Sequence, residues 1–130
     1  MLGYIDKLDK KLNITHRNYF LTQGDSFTLS ASVGSENLDL IDKIVFKMGS
    51  QISDCEIRQF YEQDYFLVNG EYLCFVPSSI TTNWSPTDCP TNNGEPYIYE
   101  IEVHYLDGGI ETIEQAQFTV YPQNVKKMEV

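Results

Sequence analysis

The stretch YIYEIEVHYLDGGIETIEQAQFTV, residues Tyr97 to Val120, decides the fold. In its first half, apolar and polar side chains alternate: the apolar set is Tyr97, Tyr99, Ile101, Val103 and Tyr105, and the polar set is Glu100, Glu102 and His104. Because successive side chains of a strand point to opposite faces, this half predicts a strand with one buried face. Asp107-Gly108-Gly109 then supplies a turn, and the chain returns with Ala116, Phe118 and Val120 facing inwards. The stretch predicts a β-hairpin, with a bulge between Ile113 and Ala116 where the alternation slips.

Other segments repeat this pattern. In SFTLSASV the inward set is Phe27, Leu29, Ala31 and Val33, and in KIVFKM the residues Ile44, Phe46 and Met48 face inwards while Val45 and Lys47 face solvent. The run YFLV, the turn dipeptide Asn69-Gly70 and the run EYLCFV predict a second hairpin, which places Cys74 in the core. Seven or eight such strands and little helix predict an all-β, antiparallel sandwich.

The 130 residues suffice for one domain. We expect an N-terminal arm and first strand over residues 1–19, a sandwich over 20–121 and a C-terminal tail over 122–130. The arm has near-helical apolar spacing at Tyr4, Ile5 and Leu8, but it is too short to be a stable helix without docking on something. These three side chains are therefore candidate contacts to a partner.

The net charge of −10 comes from one part of the chain. Residues 59–125 contain ten carboxylates and no lysine or arginine, whereas the first 58 residues are near neutral. This balance excludes nucleic acid and anionic membranes as expected partners, because both are bound through cationic side chains. No apolar run reaches the length of a membrane span. A basic protein surface would suit the acidic stretch.

A long proline-rich loop, Ser78 to Pro96, contains the single tryptophan, Trp84. Long loops in compact domains often form interaction surfaces, and tryptophan is enriched at binding hot spots. Trp84 is thus a candidate partner anchor. The alternative is that its indole pins the loop to the body of the domain.

No residue pattern indicates catalysis or a cofactor. His16 and His104 lack neighbours at metal-ligand spacing, and there is no GxSxG motif. Glu100 and Glu102 would lie about 7 Å apart on one strand face, which suits a glycosidase pair but is equally typical of a solvated sheet. A calcium site is a further possibility, with the ligands Asp54, Glu56, Glu62 and Asp64. The nine tyrosines and neighbouring acids also leave open a carbohydrate-binding face.

The three cysteines, Cys55, Cys74 and Cys89, have no CxxC spacing, and no apolar signal segment precedes them. Free thiols in a reducing compartment are therefore expected, and a bridge between Cys74 and Cys89 remains an alternative.

The order of motifs resembles the immunoglobulin-like β-sandwich domains of tailed-phage virion proteins, such as the N-terminal domain of the baseplate upper protein family. The shared features are a GD-starting first strand at QGDSFTLSASV, a YLCFV strand leading into a Ser/Thr segment, the Y-x-Y-[DE]-[IVL]-x-V strand, a DG turn and a final F-T-V strand. In the last part the matching residues are Tyr97, Tyr99, Glu100, Ile101, Val103, Asp107, Gly108, Thr112, Phe118, Thr119 and Val120. The similarity extends over about residues 20 to 121.

The resemblance implies a non-enzymatic structural protein located in the virion and assembled in the host cytoplasm. Its partners would be other virion proteins, in a homo-oligomer or a larger assembly, and it would need no cofactor or metal. Its place would be head decoration, neck, tail or baseplate. A carbohydrate-binding module is the alternative function.

Overall fold

The computed structural model describes residues 19–32, 38–86 and 97–122. They form eight strands and one single-turn helix: β1 (Tyr19–Thr22), β2 (Phe27–Ser32), β3 (Ile41–Ser53), β4 (Glu56–Asp64), β5 (Phe66–Val68), β6 (Glu71–Val76), α1 (Ser78–Thr81), β7 (Tyr97–Tyr105) and β8 (Ile110–Tyr121). The predicted arm and tail lie outside the described residues, except for Tyr19 and Pro122.

The strands form two sheets that pack face to face. The larger sheet has the order β1-β8-β7-β3-β4, and the smaller sheet has the order β2-β6-β5. This confirms the predicted immunoglobulin-like all-β sandwich. One pairing departs from the antiparallel pattern, because β1 runs parallel to β8.

The β7–β8 hairpin has the predicted alternation and the predicted bulge. Every second residue of β7 is buried, from Tyr97 to Tyr105. The register passes from Ile101 opposite Glu114 to Glu102 opposite Thr112, so Ile113 is the additional residue. As a result, Ile113 and Glu114 are both buried.

The central strand β3 pairs with β4 on one side and β7 on the other. Ile44, Phe46 and Met48 are fully buried in the core, as predicted. Val45 was expected to face solvent but is only 1% exposed. Its register partners, Asp64 and Glu102, carry longer side chains, whose stems shield a small residue on a central strand.

The β5–β6 hairpin is also confirmed. Asn69 and Gly70 have φ values of 50° and 81°, the combination that a two-residue type I′ turn requires. Between β4 and β5 the chain crosses from the larger sheet to the smaller one at Tyr65, whose amide donates a hydrogen bond of 2.9 Å to the carbonyl of Ile44. The crossing makes β5 the last strand of the small sheet.

Cys74 lies in the core, as predicted. Its thiol is free, and Cys89, its alternative partner, lies outside the described residues. Burial, with a smaller contribution from the charge of Asp64, raises the pKa of this thiol to about 12. Cys55 is a second free thiol and is exposed in the turn between β3 and β4.

Candidate interaction surface

The outer face of the small sheet carries four apolar side chains that we call the apolar patch: Phe66, Val68, Leu73 and Phe75. Phe66 is 68% exposed, Phe75 53% and Val68 46%, while Leu73 is half-buried. Isolated exposed apolar residues are ordinary on protein surfaces, but adjacent ones mark interaction sites. The patch is therefore the candidate functional site.

Strand register makes the patch continuous. Phe66 is paired with Leu73, and Phe75 and Val68 each lie two residues further along the same face of their strands. On the other side of β6, β2 places Thr28 opposite Phe75. Apolar side chains from β5 and β6 thus meet on one flat surface.

Few charges interrupt this face. The β2 residues Thr28 and Ser30 lie beside the patch, and both are exposed and uncharged. Among the described residues, the one carboxylate on the face is Glu71, at the turn end of β6 opposite Val68. The surface is accordingly almost neutral on a chain of net charge −10.

The patch continues around the edge of the sheet. Leu67 is 51% exposed on β5, which pairs only with β6 among the described strands. Phe75 of β6 lies beyond the end of β5. Its carbonyl accepts a hydrogen bond of 2.5 Å from the side-chain amide of Gln63. This bond replaces the backbone hydrogen bond that a longer β5 would have donated to the same carbonyl.

The outer face of the larger sheet is mainly polar at its centre, and the exposed rings of Phe20 and Tyr121 lie at its β1–β8 edge. The Lys47 ammonium lies 3.0 Å from both carboxylate oxygens of Glu102, and Nε2 of His104 lies 3.1 Å from one of them. Burial alone would raise the pKa of Glu102. The hydrogen bonds and charges of Lys47 and His104 outweigh it and hold that pKa below its ordinary value.

These contacts bear on the possible glycosidase pair. Glu102 stays ionised, whereas a general acid needs a raised pKa. Glu100 accepts a hydrogen bond from the side-chain amide of Gln115. Both carboxylates therefore make cross-strand contacts within the sheet.

The four carboxylates considered for calcium do not come together. Asp54 and Glu56 lie at the β3–β4 turn, while Glu62 and Asp64 lie at the far end of β4. Eight residues of extended strand separate Glu56 from Asp64 by about 26 Å. Within residues 19–32, 38–86 and 97–122, no three His, Cys, Asp or Glu side chains group as metal ligands would.

Trp84 is 4% exposed and belongs to the core, which corrects its interpretation as an exposed anchor. Its ring contacts Phe27 and Phe118 at centroid distances of 6.0 and 5.8 Å. Phe60 and Tyr61 also reach it, because the register shift in the β3–β4 pair leaves Phe60 as an additional residue. The indole thus joins strands of both sheets.

Hydrogen bonds hold the start of the long loop to the domain. Oγ1 of Thr81 donates to the carbonyl of Asp25 at 2.8 Å, and the side-chain amide of Gln23 donates to the carbonyl of Thr82 at 2.9 Å. The hydroxyl of Tyr97 donates to the carbonyl of Ser85 at 2.9 Å. The loop is therefore pinned on both sides of Trp84. Residues 87–96 of the loop lie outside the described residues, as do Tyr4, Ile5 and Leu8 of the arm.

The tyrosines considered for sugar binding are mostly internal. Five are buried in the core: Tyr65, Tyr72, Tyr97, Tyr99 and Tyr105. Tyr121 is 45% exposed, at the end of β8. No platform of tyrosine rings forms on the part of the surface that the structure describes.

Alternation of polar and apolar residues does not predict the patch, because it identifies a strand with one buried apolar face and one polar face. In β6 the inward residues Tyr72, Cys74 and Val76 alternate with Leu73 and Phe75, which are also apolar. Strands that are apolar on both faces are typically covered on both faces. That signal in YFLV and EYLCFV indicates an apolar outer face on the small sheet.

Comparisons with known proteins assign no family to this chain. No family model matches the chain, and no curated protein matches it. Similar solved structures include the fibronectin(III)-like modules of CbhA from Clostridium thermocellum, with 9% identity, a TM-score of 0.47 and coverage of 86% of this chain and 95% of that one. Superoxide reductase (neelaredoxin) from Ignicoccus hospitalis has 9% identity, a TM-score of 0.44 and coverage of 85% and 80%, respectively. In the part of the chain described, no helix has the length and apolar character needed to cross a membrane.

Proposed function

We propose that this chain is a non-enzymatic structural protein of a tailed-phage virion that makes protein–protein contacts during assembly. Its place in the particle would be head decoration, neck, tail or baseplate. The observation that carries the assembly role is the apolar patch, where Phe66, Val68 and Phe75 are about half exposed or more. The attribution to a virion rests on the resemblance of the Tyr97–Val120 hairpin and its neighbouring strands.

The patch supports a contact role because leaving it in water has a free-energy cost. Its aromatic and aliphatic side chains could be replaced by polar ones without opening the core, since they lie on the outer face of the sheet. Because each of them is already partly buried, covering the rest of it would contribute about 1 kcal/mol, roughly half of the value for a fully exposed side chain. An exposed surface that remains apolar suits a protein whose partner covers that surface.

The non-enzymatic part of the proposal is supported by the contacts of the polar groups. Lys47, Glu102 and His104 bind one another across β3 and β7. These contacts account for the three charged side chains as cross-strand contacts of the larger sheet.

The proposal is tested by particle incorporation of the double variant Phe66→Ser/Phe75→Ser. Incorporation should fall at least about tenfold, because a loss of about 1.4 kcal/mol already has that effect. The matched control is Leu106→Ser/Ile110→Ser, which removes two apolar side chains of 65% and 59% exposure from the β7–β8 turn region and should incorporate normally.

Normal incorporation of the patch variant would contradict the proposal. A glycan array on the wild-type chain distinguishes the alternative function, since sugar-specific binding that the patch variant retains would favour a carbohydrate-binding module.

A further inference from the structure

We propose that the apolar patch packs against the same patch of a second copy of this chain, face to face. This inference rests on the proposed assembly function and names one partner for it. The contact would be isologous, with the same residues contributed by each copy.

Charge favours a second copy at this place. Two chains of net charge −10 repel each other, so they can approach closely only through a surface that lacks carboxylates. The patch and its neighbours Thr28 and Ser30 form such a surface, with Glu71 at its end. A basic partner would gain little here, because Glu71 is the one acidic group on this face among the described residues.

A simple symmetry also separates the two copies of Glu71. Consider a two-fold axis that lies between the two facing sheets and crosses the strands near Leu73. This axis reverses the strand direction, so that Glu71 of one copy lies near Phe75 of the other. The two Glu71 positions are then four residues, or about 13 Å, apart along the strand. That exceeds the Debye length of about 8 Å at physiological ionic strength, so their repulsion is largely screened.

The size of the face predicts a weak contact. Two strands of six residues and one of three, spaced about 4.8 Å apart, cover roughly 240 Å² per copy, or roughly 480 Å² in total. Stable complexes bury about 1,200 Å² or more. Pairing through the patch alone should therefore be transient, and it would become persistent only when many copies are held together in one assembly.

Sedimentation equilibrium tests this proposal on the full chain. Across about 10 μM to about 1 mM, the weight-average mass of the wild type should rise towards twice the monomer mass, as expected for a weak dimer. Raising the salt concentration from about 0.1 M to about 1 M should not weaken the association. Salt does not screen an apolar contact, but it does screen the electrostatic repulsion between the two acidic chains. Leu106→Ser/Ile110→Ser should behave as the wild type, and Phe66→Ser/Phe75→Ser should stay monomeric with an unchanged circular dichroism spectrum.

A wild type that is monomeric throughout, or a patch variant that associates like the wild type, would overturn the homotypic contact. These outcomes are separate from failure of the assembly function. A monomeric wild type combined with poor incorporation of the patch variant would mean that the patch binds a different protein.

Discussion

At the scale of single residues, Trp84 and Phe75 show that residue type alone does not separate core from surface. Both are large aromatic residues, yet Trp84 is 4% exposed and Phe75 is 53% exposed. Trp84 comes from a polar, proline-rich segment, and nothing local in that segment shows that α1 directs it into the core. Phe75 follows the buried Cys74, and the alternation of β6 alone places it outside.

We expect Trp84→Ala to lower the free energy of unfolding by about 3–5 kcal/mol, the usual cost of truncating a large buried aromatic residue. Urea denaturation followed by circular dichroism measures the change. Phe20→Ala is the control, because Phe20 is 74% exposed and its loss should cost less than about 1 kcal/mol. Equal effects of the two substitutions would mean that Trp84 is not part of the core.

At the scale of elements, local pattern predicted both hairpins, the bulge near Ile113 and the inward faces of β2, β3 and β7. It did not predict that β1 would pair in parallel with β8, because the paired residues Tyr19 and Phe118 are far apart in the sequence. A four-residue strand carries too little pattern to identify such a distant partner. The contact of Lys47 with Glu102 was missed for the same reason, since it depends on the register between β3 and β7.

The contact between β3 and β7 makes stability depend on pH. Because the folded-state pKa of Glu102 is lowered, its contribution is fully present above the unfolded carboxyl pKa of about 4.3 and is lost as the pH falls through the lower folded value. Glu102→Gln should therefore reduce stability by about 1 kcal/mol at neutral pH, and the difference from the wild type should shrink on acidification below about pH 4. Chemical denaturation across this range measures it.

The control is the same substitution in a Lys47→Met background. There the effect of Glu102→Gln at neutral pH should be smaller, because the main donor to the carboxylate is gone. A pH-independent difference in the otherwise wild-type chain would contradict the role of the ion pair.

At the scale of the whole molecule, the two sheets present opposite kinds of outer face. The larger sheet presents ion pairs and amides, with the rings of Phe20 and Tyr121 at one edge, and the smaller sheet presents the apolar patch with almost no charge among the described residues. The all-β sandwich and the acidity of residues 59–125 could be predicted from the sequence. The patch could not be located in this way, because it depends on the register that pairs Phe66 of β5 with Leu73 of β6.

We propose that a partner covers the apolar patch in the assembled particle. Hydroxyl-radical footprinting of the free chain and of purified particles measures it, because oxidation of a side chain follows its exposure to solvent. Oxidation of Phe66 and Phe75 should fall severalfold on assembly, since both are more than half exposed in the isolated chain. If both rings are oxidised equally in the free chain and in the particle, the patch is not a contact surface and the account is wrong.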